Sequence, residues 1–230
     1  LIMGRGLERD SLSIQAATSR SLSRQSVIRV VFCWTEASGY MAACWRALAK
    51  RPGVELHVIH LKQLADVRNP FLSDPLLLQG ISNEMCARGT PEIDQWLIKA
   101  VADRQPHVVV VCGWLHRPYT RLVNLAHLKE ARVIVGMDSP WRGTVTQRLA
   151  RFRLAKLMKR LDLIVTSGER SAEYARRLGV SESRIRSGYY GFDLELFREV
   201  ACRRLRFTQE WPRQFLFVGR YVPQKDLSTL

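Results

Sequence analysis

No stretch of the 230 residues approaches the roughly 20 consecutive apolar side chains of a membrane-spanning helix, so no helical span is encoded in them. Cysteine is sparse: Cys33, Cys44, Cys86, Cys112 and Cys202 are odd in number and widely spaced, with no Cys-x-x-Cys pair. That pattern signals neither a zinc site nor a disulfide framework. It reads as reduced, buried thiols of a cytosolic protein with no metal. The Gly-x-Gly-x-x-Gly fingerprint of dinucleotide-binding turns is absent. Acidic residues are outnumbered, 21 Asp and Glu against 36 Lys and Arg, and the formal net charge is +15. A balance of that sign favours anionic partners: phosphates, acidic lipid surfaces or nucleic acid. No helix-turn-helix, zinc-finger or aromatic RNA-sheet motif accompanies the charge, which sets nucleic acid aside.

What is present is an ordinary globular composition, 47% hydrophobic and 25% charged, which excludes wholesale disorder and collagen-like repeats. At about 150 residues per domain, the length suits one domain and a remainder. Residues 1 to 26 hold six serines and scattered Arg without an apolar period, and are expected to be a disordered leader. From Val27 strand and helix signals alternate. Strands are predicted at Val27 to Trp34, Val54 to Leu61, His107 to Cys112, Arg132 to Met137 and Leu161 to Thr166. Helices are predicted at Tyr40 to Lys50, Pro91 to Arg104, Tyr119 to Glu130, within Gly143 to Arg160, and at Glu169 to Leu178. Residues 62 to 90 read as a loop with a short third strand. Short apolar strands separated by helices predict a doubly wound α/β domain, a parallel Rossmann-like sheet over residues 27 to 208. Glu210-Trp211-Pro212-Arg213 then punctuates the chain before a strand Gln214 to Val218 and a helix near Asp226. Residues 209 to 230 are thus expected to open a second domain that stops incomplete.

Ligands of open α/β sheets sit at the carboxyl ends of the strands, where loops and helix starts offer unpaired N–H groups. After the first strand lie Glu36, Ser38 and Gly39, where Gly39 permits close approach to an anion. After the fourth come Trp114, His116 and Tyr119, with His116 suited to a sugar hydroxyl or a leaving group. After the fifth comes Asp138, a carboxylate at a strand's carboxyl end. The segment from Arg142 to Arg160 carries seven Lys or Arg and no acid, interleaved with apolar residues, which suits either an amphipathic helix on an anionic bilayer or a crossover helix with solvated cations.

Several blocks occur in a particular order: Asp162 to Glu169, Leu178-Gly179-Val180, Gly191-Phe192-Asp193 with Phe197, then Phe217-Val218-Gly219-Arg220 with Lys225. Together they resemble the retaining family-4 (group 1) glycosyltransferases of GT-B fold, over Val27 to Leu230. The resemblance implies two Rossmann-like domains facing a cleft, the first for acceptor and the second for a nucleotide-diphospho-sugar, with no other cofactor. It implies that Gly219, Arg220 and Lys225 hold the donor diphosphate; from their places at the strand ends, Gly39 is expected to assist there and Asp138 and His116 to act in catalysis. Glu36, Ser38, Trp114 and Tyr119 fall on the acceptor side. Fixed cations there can stabilise charge developing on the leaving phosphate without a metal. The expected partners are a nucleotide-sugar donor, a glycan or lipid-linked acceptor and an anionic membrane surface. Without its full second domain the chain is expected to be inactive. Two other classes fit the same residues: a sugar-nucleotide epimerase of this architecture, and a basic module binding membrane or polyanion without catalysis.

Overall fold

The computed structural model describes residues 27–61, 75–86, 92–125 and 130–206, together with Phe217 and Gly219. The expected leader, most of the strand at Gln214 to Val218 and the helix near Asp226 lie outside the described residues.

Seven strands, β1 (Ile28–Trp34), β2 (Val54–Leu61), β3 (Asn83–Cys86), β4 (Val108–Cys112), β5 (Arg132–Met137), β6 (Leu163–Thr166) and β7 (Ile185–Ser187), form one sheet in the order β3-β2-β1-β4-β5-β6-β7. Every pairing is parallel. The helices are α1 (Gly39–Ala49), α2 (Ile93–Asp103), α3 (Arg117–Leu122), α4 (Val145–Arg160), α5 (Glu169–Arg177) and α6 (Leu194–Arg206). This is the doubly wound α/β fold read from the alternation of elements.

Successive strand residues point to opposite faces, and both faces are covered. Val30, Leu56, Val58 and Val110 pack with Met41 and Trp45 of α1. Their neighbours Val31, Ile59, Val109 and Val111 join Val133 and Val135 in a second layer with Leu97 and Val101 of α2, Leu122 of α3, Leu157 of α4 and Ala175 of α5. Burial on both sides explains why these strands are continuous β-branched runs rather than alternating ones.

The caps are written locally. Ser38 Oγ accepts from Met41 N at 3.4 Å to start α1, and Thr144 Oγ1 accepts from Gln147 N at 3.3 Å to start α4. Gln147 reaches back in turn, its Oε1 accepting from Arg142 N at 2.7 Å. At the end of α5, Gly179 at φ +91° lets Gly179 N bond Arg176 O at 2.9 Å and Val180 N bond Ala175 O at 3.2 Å, a Schellman close.

Four details differ from the sequence reading. Strand β6 begins at Leu163 rather than Leu161, because Leu161 N still bonds Leu157 O and Asp162 turns its carboxylate to Val133 N at 2.7 Å. Helix α3 starts earlier than expected, with Pro118 in its first turn where the missing N–H costs nothing. It ends at Leu122, beyond which Asn124 Nδ2 donates to Thr120 O at 2.7 Å. Strand β7 and helix α6 were not foreseen. Finally, the compact units divide between Phe192 and Asp193, earlier than the expected 208/209 boundary, so α6 belongs to the second unit. Among the described residues, no helix is long and apolar enough to cross a membrane.

Candidate functional site

The sheet order reverses at β1, whose neighbours are β2 and β4, and such a switch point leaves a crevice at the carboxyl ends of the strands. A pocket of about 490 Å³ opens there. Trp34 and Thr35 from β1, Cys112 to His116 from β4 and Gly136 to Ser139 from β5 form its floor and rim, while Arg153 and Tyr174 line it from α4 and α5.

The first unit closes the pocket with a segment that sequence reasoning passed over. After β7, Gly188 at φ +109° turns the chain back, and Tyr189 and Tyr190 enter the pocket wall. The Tyr189 ring lies 5.7 Å from that of Trp34 and 4.4 Å from that of Tyr190, whose edge meets Tyr40 of α1 at 6.0 Å. This stack depends on Gly136: a Cβ there would lie 2.0 Å from Tyr189 Cε2 and 2.9 Å from Trp34 Cη2. The only sequence signal was the Tyr-Tyr pair directly before Gly191-Phe192-Asp193.

Asp138 stands where the strand reading put it, directly after β5. Its Oδ2 accepts a hydrogen bond from the Tyr190 hydroxyl at 2.9 Å, and its carbonyl accepts from Ser171 Oγ at 3.1 Å. Among the described residues, no hydrogen bond is recorded to Oδ1. Burial foremost, then the bond to Asp138 and its charge, pushes the Tyr190 phenol well above its usual range, so it stays protonated as a donor. Burial does the same to Tyr189.

His116 also lines the pocket, at the N-cap of α3, its ring 5.9 Å from that of Tyr119. Trp114 lines it too, its ring edge-on to Tyr174 at 5.8 Å. Tyr119 is fully buried, its hydroxyl donating to Trp34 O at 2.6 Å, so it braces the end of β1 from within the core. Ser38 is occupied as the α1 cap, and Glu36 is half-buried in the loop before it. Gly39 opens α1, and a Cβ there would meet nothing within 4 Å. Neither Glu36, Ser38 nor Gly39 lines the pocket. Gly219 lies in the second unit, and Arg220 and Lys225 lie outside the described residues. Among the described residues no group of His, Cys, Asp and Glu is arranged to hold a metal ion.

The pocket therefore offers flat aromatic walls, one carboxylate, one imidazole and, among the described residues, one guanidinium, that of Arg153. Aromatic faces with a few placed hydrogen-bonding groups suit a polar ligand with apolar C–H faces.

No family model and no curated protein matches this chain. Solved structures do. The Anabaena protein HepE, in complex with UDP, is 13% identical with a TM-score of 0.51 over 78% of this chain and 50% of that one. UDP-GlcNAc 2-epimerase from Neisseria meningitidis, bound to UDP-GlcNAc, is 15% identical with a TM-score of 0.51 over 79% of this chain and 51% of that one. A putative UDP-N-acetylglucosamine 2-epimerase from Listeria monocytogenes is 13% identical with a TM-score of 0.51, covering 70% of this chain and 44% of that one. The chain thus spans about half the length of the structures it matches. At these identities the likeness establishes the fold, a parallel, doubly wound Rossmann-like sheet shared with proteins that bind UDP and UDP-sugars.

Proposed function

We propose that this chain is the acceptor-side domain, with the start of a donor domain, of a GT-B enzyme that transfers a glycosyl group from a nucleotide-diphospho-sugar with retention of configuration. The observation that carries the reading is Asp138, fixed by Tyr190 at the switch-point pocket with Oδ1 turned to no described partner. A hydroxyl of the acceptor donates to that oxygen and is oriented for attack. The rings of Trp114 and Tyr189 pack on the sugar's C–H faces, and His116 hydrogen-bonds a neighbouring hydroxyl. Holding the reacting oxygen in place removes a large part of the entropic barrier. Charge then gathers on the departing diphosphate, and the resemblance gives its stabilisation to Arg220 and Lys225 with Gly219. Front-face attack beside the leaving phosphate requires no second carboxylate of the hydrolase kind. Free thiols at Cys33, Cys44, Cys112 and Cys202 support a cytosolic location for this enzyme.

A second reading, a sugar-nucleotide epimerase, is favoured by the names of two of the matched structures. Epimerisation moves protons on a sugar carbon and calls for acid and base groups around it. The described wall holds one carboxylate and one imidazole among aromatic rings, which suits acceptor orientation better. One experiment separates the two. A protein extending this chain through a full second domain is incubated with a panel of nucleotide sugars, with and without a glycan or polyprenyl-phosphate acceptor mixture. Transfer expects acceptor-dependent release of nucleoside diphosphate; epimerisation expects a change of sugar configuration without acceptor. Neither signal with any sugar defeats both readings.

A further inference from the structure

Helix α4 has two apolar faces, and the core uses only one. Ala150, Leu157 and Met158 are buried in the sheet-side layer. Val145, Leu149 and Phe152 recur at i, i+4 and i+7, so they share a face, and that face is turned outward: they are 71%, 53% and 77% exposed. A surface helix packed by one stripe ordinarily carries polar groups opposite it.

The cations around this face are equally unusual. On three other helices exposed cations have acids of their own helix to pair with: Lys99 with Asp103 in α2, Arg177 with Glu173 in α5, Arg203 with Glu199 in α6. From Arg142 to Arg160 the sequence holds no Asp or Glu. Among the described residues no ion pair is recorded for Arg148, Lys156 or Lys159, which are all exposed. An apolar stripe rimmed by unneutralised cations is the signature of a helix that lies in a membrane interface.

We propose that the outward face of α4 seats on an anionic membrane surface, Val145, Leu149 and Phe152 entering the headgroup boundary and Arg148, Lys156 and Lys159 meeting lipid phosphates. Charge selects this occupant over others. A second copy docking by the same face would set cation against cation across a two-fold contact. Duplex nucleic acid would use the cations but leaves the exposed phenyl ring unexplained. The same helix walls the switch-point pocket through Thr146, Ala150 and Arg153, and Leu115, 86% exposed, lines that pocket too. Seating α4 therefore brings the pocket beside the bilayer. The consequence, that the acceptor is carried on a lipid, rests on the glycosyl-transfer reading above.

The test is co-sedimentation of the 230-residue chain with vesicles of phosphatidylcholine containing roughly one quarter phosphatidylglycerol, against phosphatidylcholine alone. Binding to the anionic vesicles alone is expected, weakening as salt rises. Leu149→Ser with Phe152→Ser, and separately Arg148→Gln with Lys156→Gln and Lys159→Gln, should each lower vesicle affinity by roughly tenfold or more. All five side chains are exposed, and unchanged circular dichroism confirms folding. The paired-cation control Arg198→Gln with Arg203→Gln should bind like wild type. Equal binding to neutral vesicles, wild-type affinity in both α4 variants, tighter binding to duplex DNA at the same salt, or a dimer that Leu149→Ser with Phe152→Ser dissociates would each overturn the proposal. The assay contains no nucleotide sugar, so its failure leaves the transfer reading standing. Failure of transfer with vesicle binding intact leaves the surface standing.

Discussion

The Tyr190 hydroxyl donates to Asp138 Oδ2 at 2.9 Å, tying the segment after β7 to the end of β5 across the mouth of the pocket. A hydrogen bond to a charged acceptor is among the stronger ones, though partial exposure weakens it here. Tyr190→Phe removes the tie and leaves the ring, so acceptor KM should rise roughly tenfold while nucleotide affinity is unchanged. Asp138→Asn should lower turnover by roughly a hundredfold with the same nucleotide affinity. Steady-state kinetics with varied acceptor, beside a nucleotide-binding isotherm, checks both. Loss of nucleotide affinity with normal acceptor kinetics would remove Asp138 from the acceptor side.

Two glycines make opposite predictions. A Cβ at Gly136 would sit 2.0 Å from Tyr189 Cε2, with Trp34 behind that ring, so Gly136→Ala must displace the aromatic stack. Overpacking of that kind costs about 1–3 kcal/mol. A Cβ at Gly39 meets nothing within 4 Å, so Gly39→Ala at the start of α1 should leave stability unchanged or raise it by up to about 1 kcal/mol. Urea unfolding of both variants, followed by tryptophan fluorescence, tests the pair. Equal stability in the two would show that the Tyr189 segment does not rest on β5.

Tyr119 is the brace under the site. Its buried hydroxyl bonds Trp34 O at 2.6 Å, and Tyr119→Phe leaves that carbonyl without this donor. The expected loss is about 1–2 kcal/mol of unfolding free energy. An unchanged denaturation midpoint would show that water or another donor replaces it.

His57 should make the fold acid-sensitive. Its ring is buried on β2, Nδ1 lying 2.8 Å from Ser82 Oγ and Nε2 3.1 Å from Glu84 Oε1. Burial, joined by the nearby Arg104 cation, lowers its pKa from the usual 6.5 despite the charge of Glu84. His60 is lowered by burial as well. The unfolded chain therefore binds protons more readily than the folded one just below 6.5. Stability contributed by the neutral rings is complete above that pH and is lost as pH falls below it toward the folded-state pKa values. Thermal midpoints measured from pH 7.5 down to about 5 should fall, and His57→Gln should flatten part of the slope. A midpoint that rises on acidification would contradict this.

Much of the fold is local information. Strands Val54–Leu61 and Arg132–Met137 match the sequence reading to the residue, because each is an apolar, β-branched run ended by polar or turn-forming neighbours. The starts of α1 and α4 follow from Ser38 and Thr144, whose oxygens cap backbone groups three residues ahead. Parallel strands with helical crossovers place their carboxyl ends on one edge, so Asp138, His116 and Trp114 are expected at that edge from the sequence alone, and all three line the pocket there.

Other features exist only through contacts between distant segments. Strand β7 is three residues long with one buried side chain, Ile185, and acquires strand character by pairing with β6. Nothing in its composition distinguishes it from a loop. Tyr189 and Tyr190 became pocket residues because Gly136, more than fifty positions earlier, leaves room for a ring; a glycine in a strand does not say what will fill the space above it. Likewise Tyr119 and Ser38, chosen from loops by residue type, were drawn by geometry into bracing and capping. Composition, periodicity and caps act within a few residues and determined the elements and the edge where the site lies. Which side chain faces the pocket was decided by packing between segments far apart in the chain, and only the folded structure sets those distances.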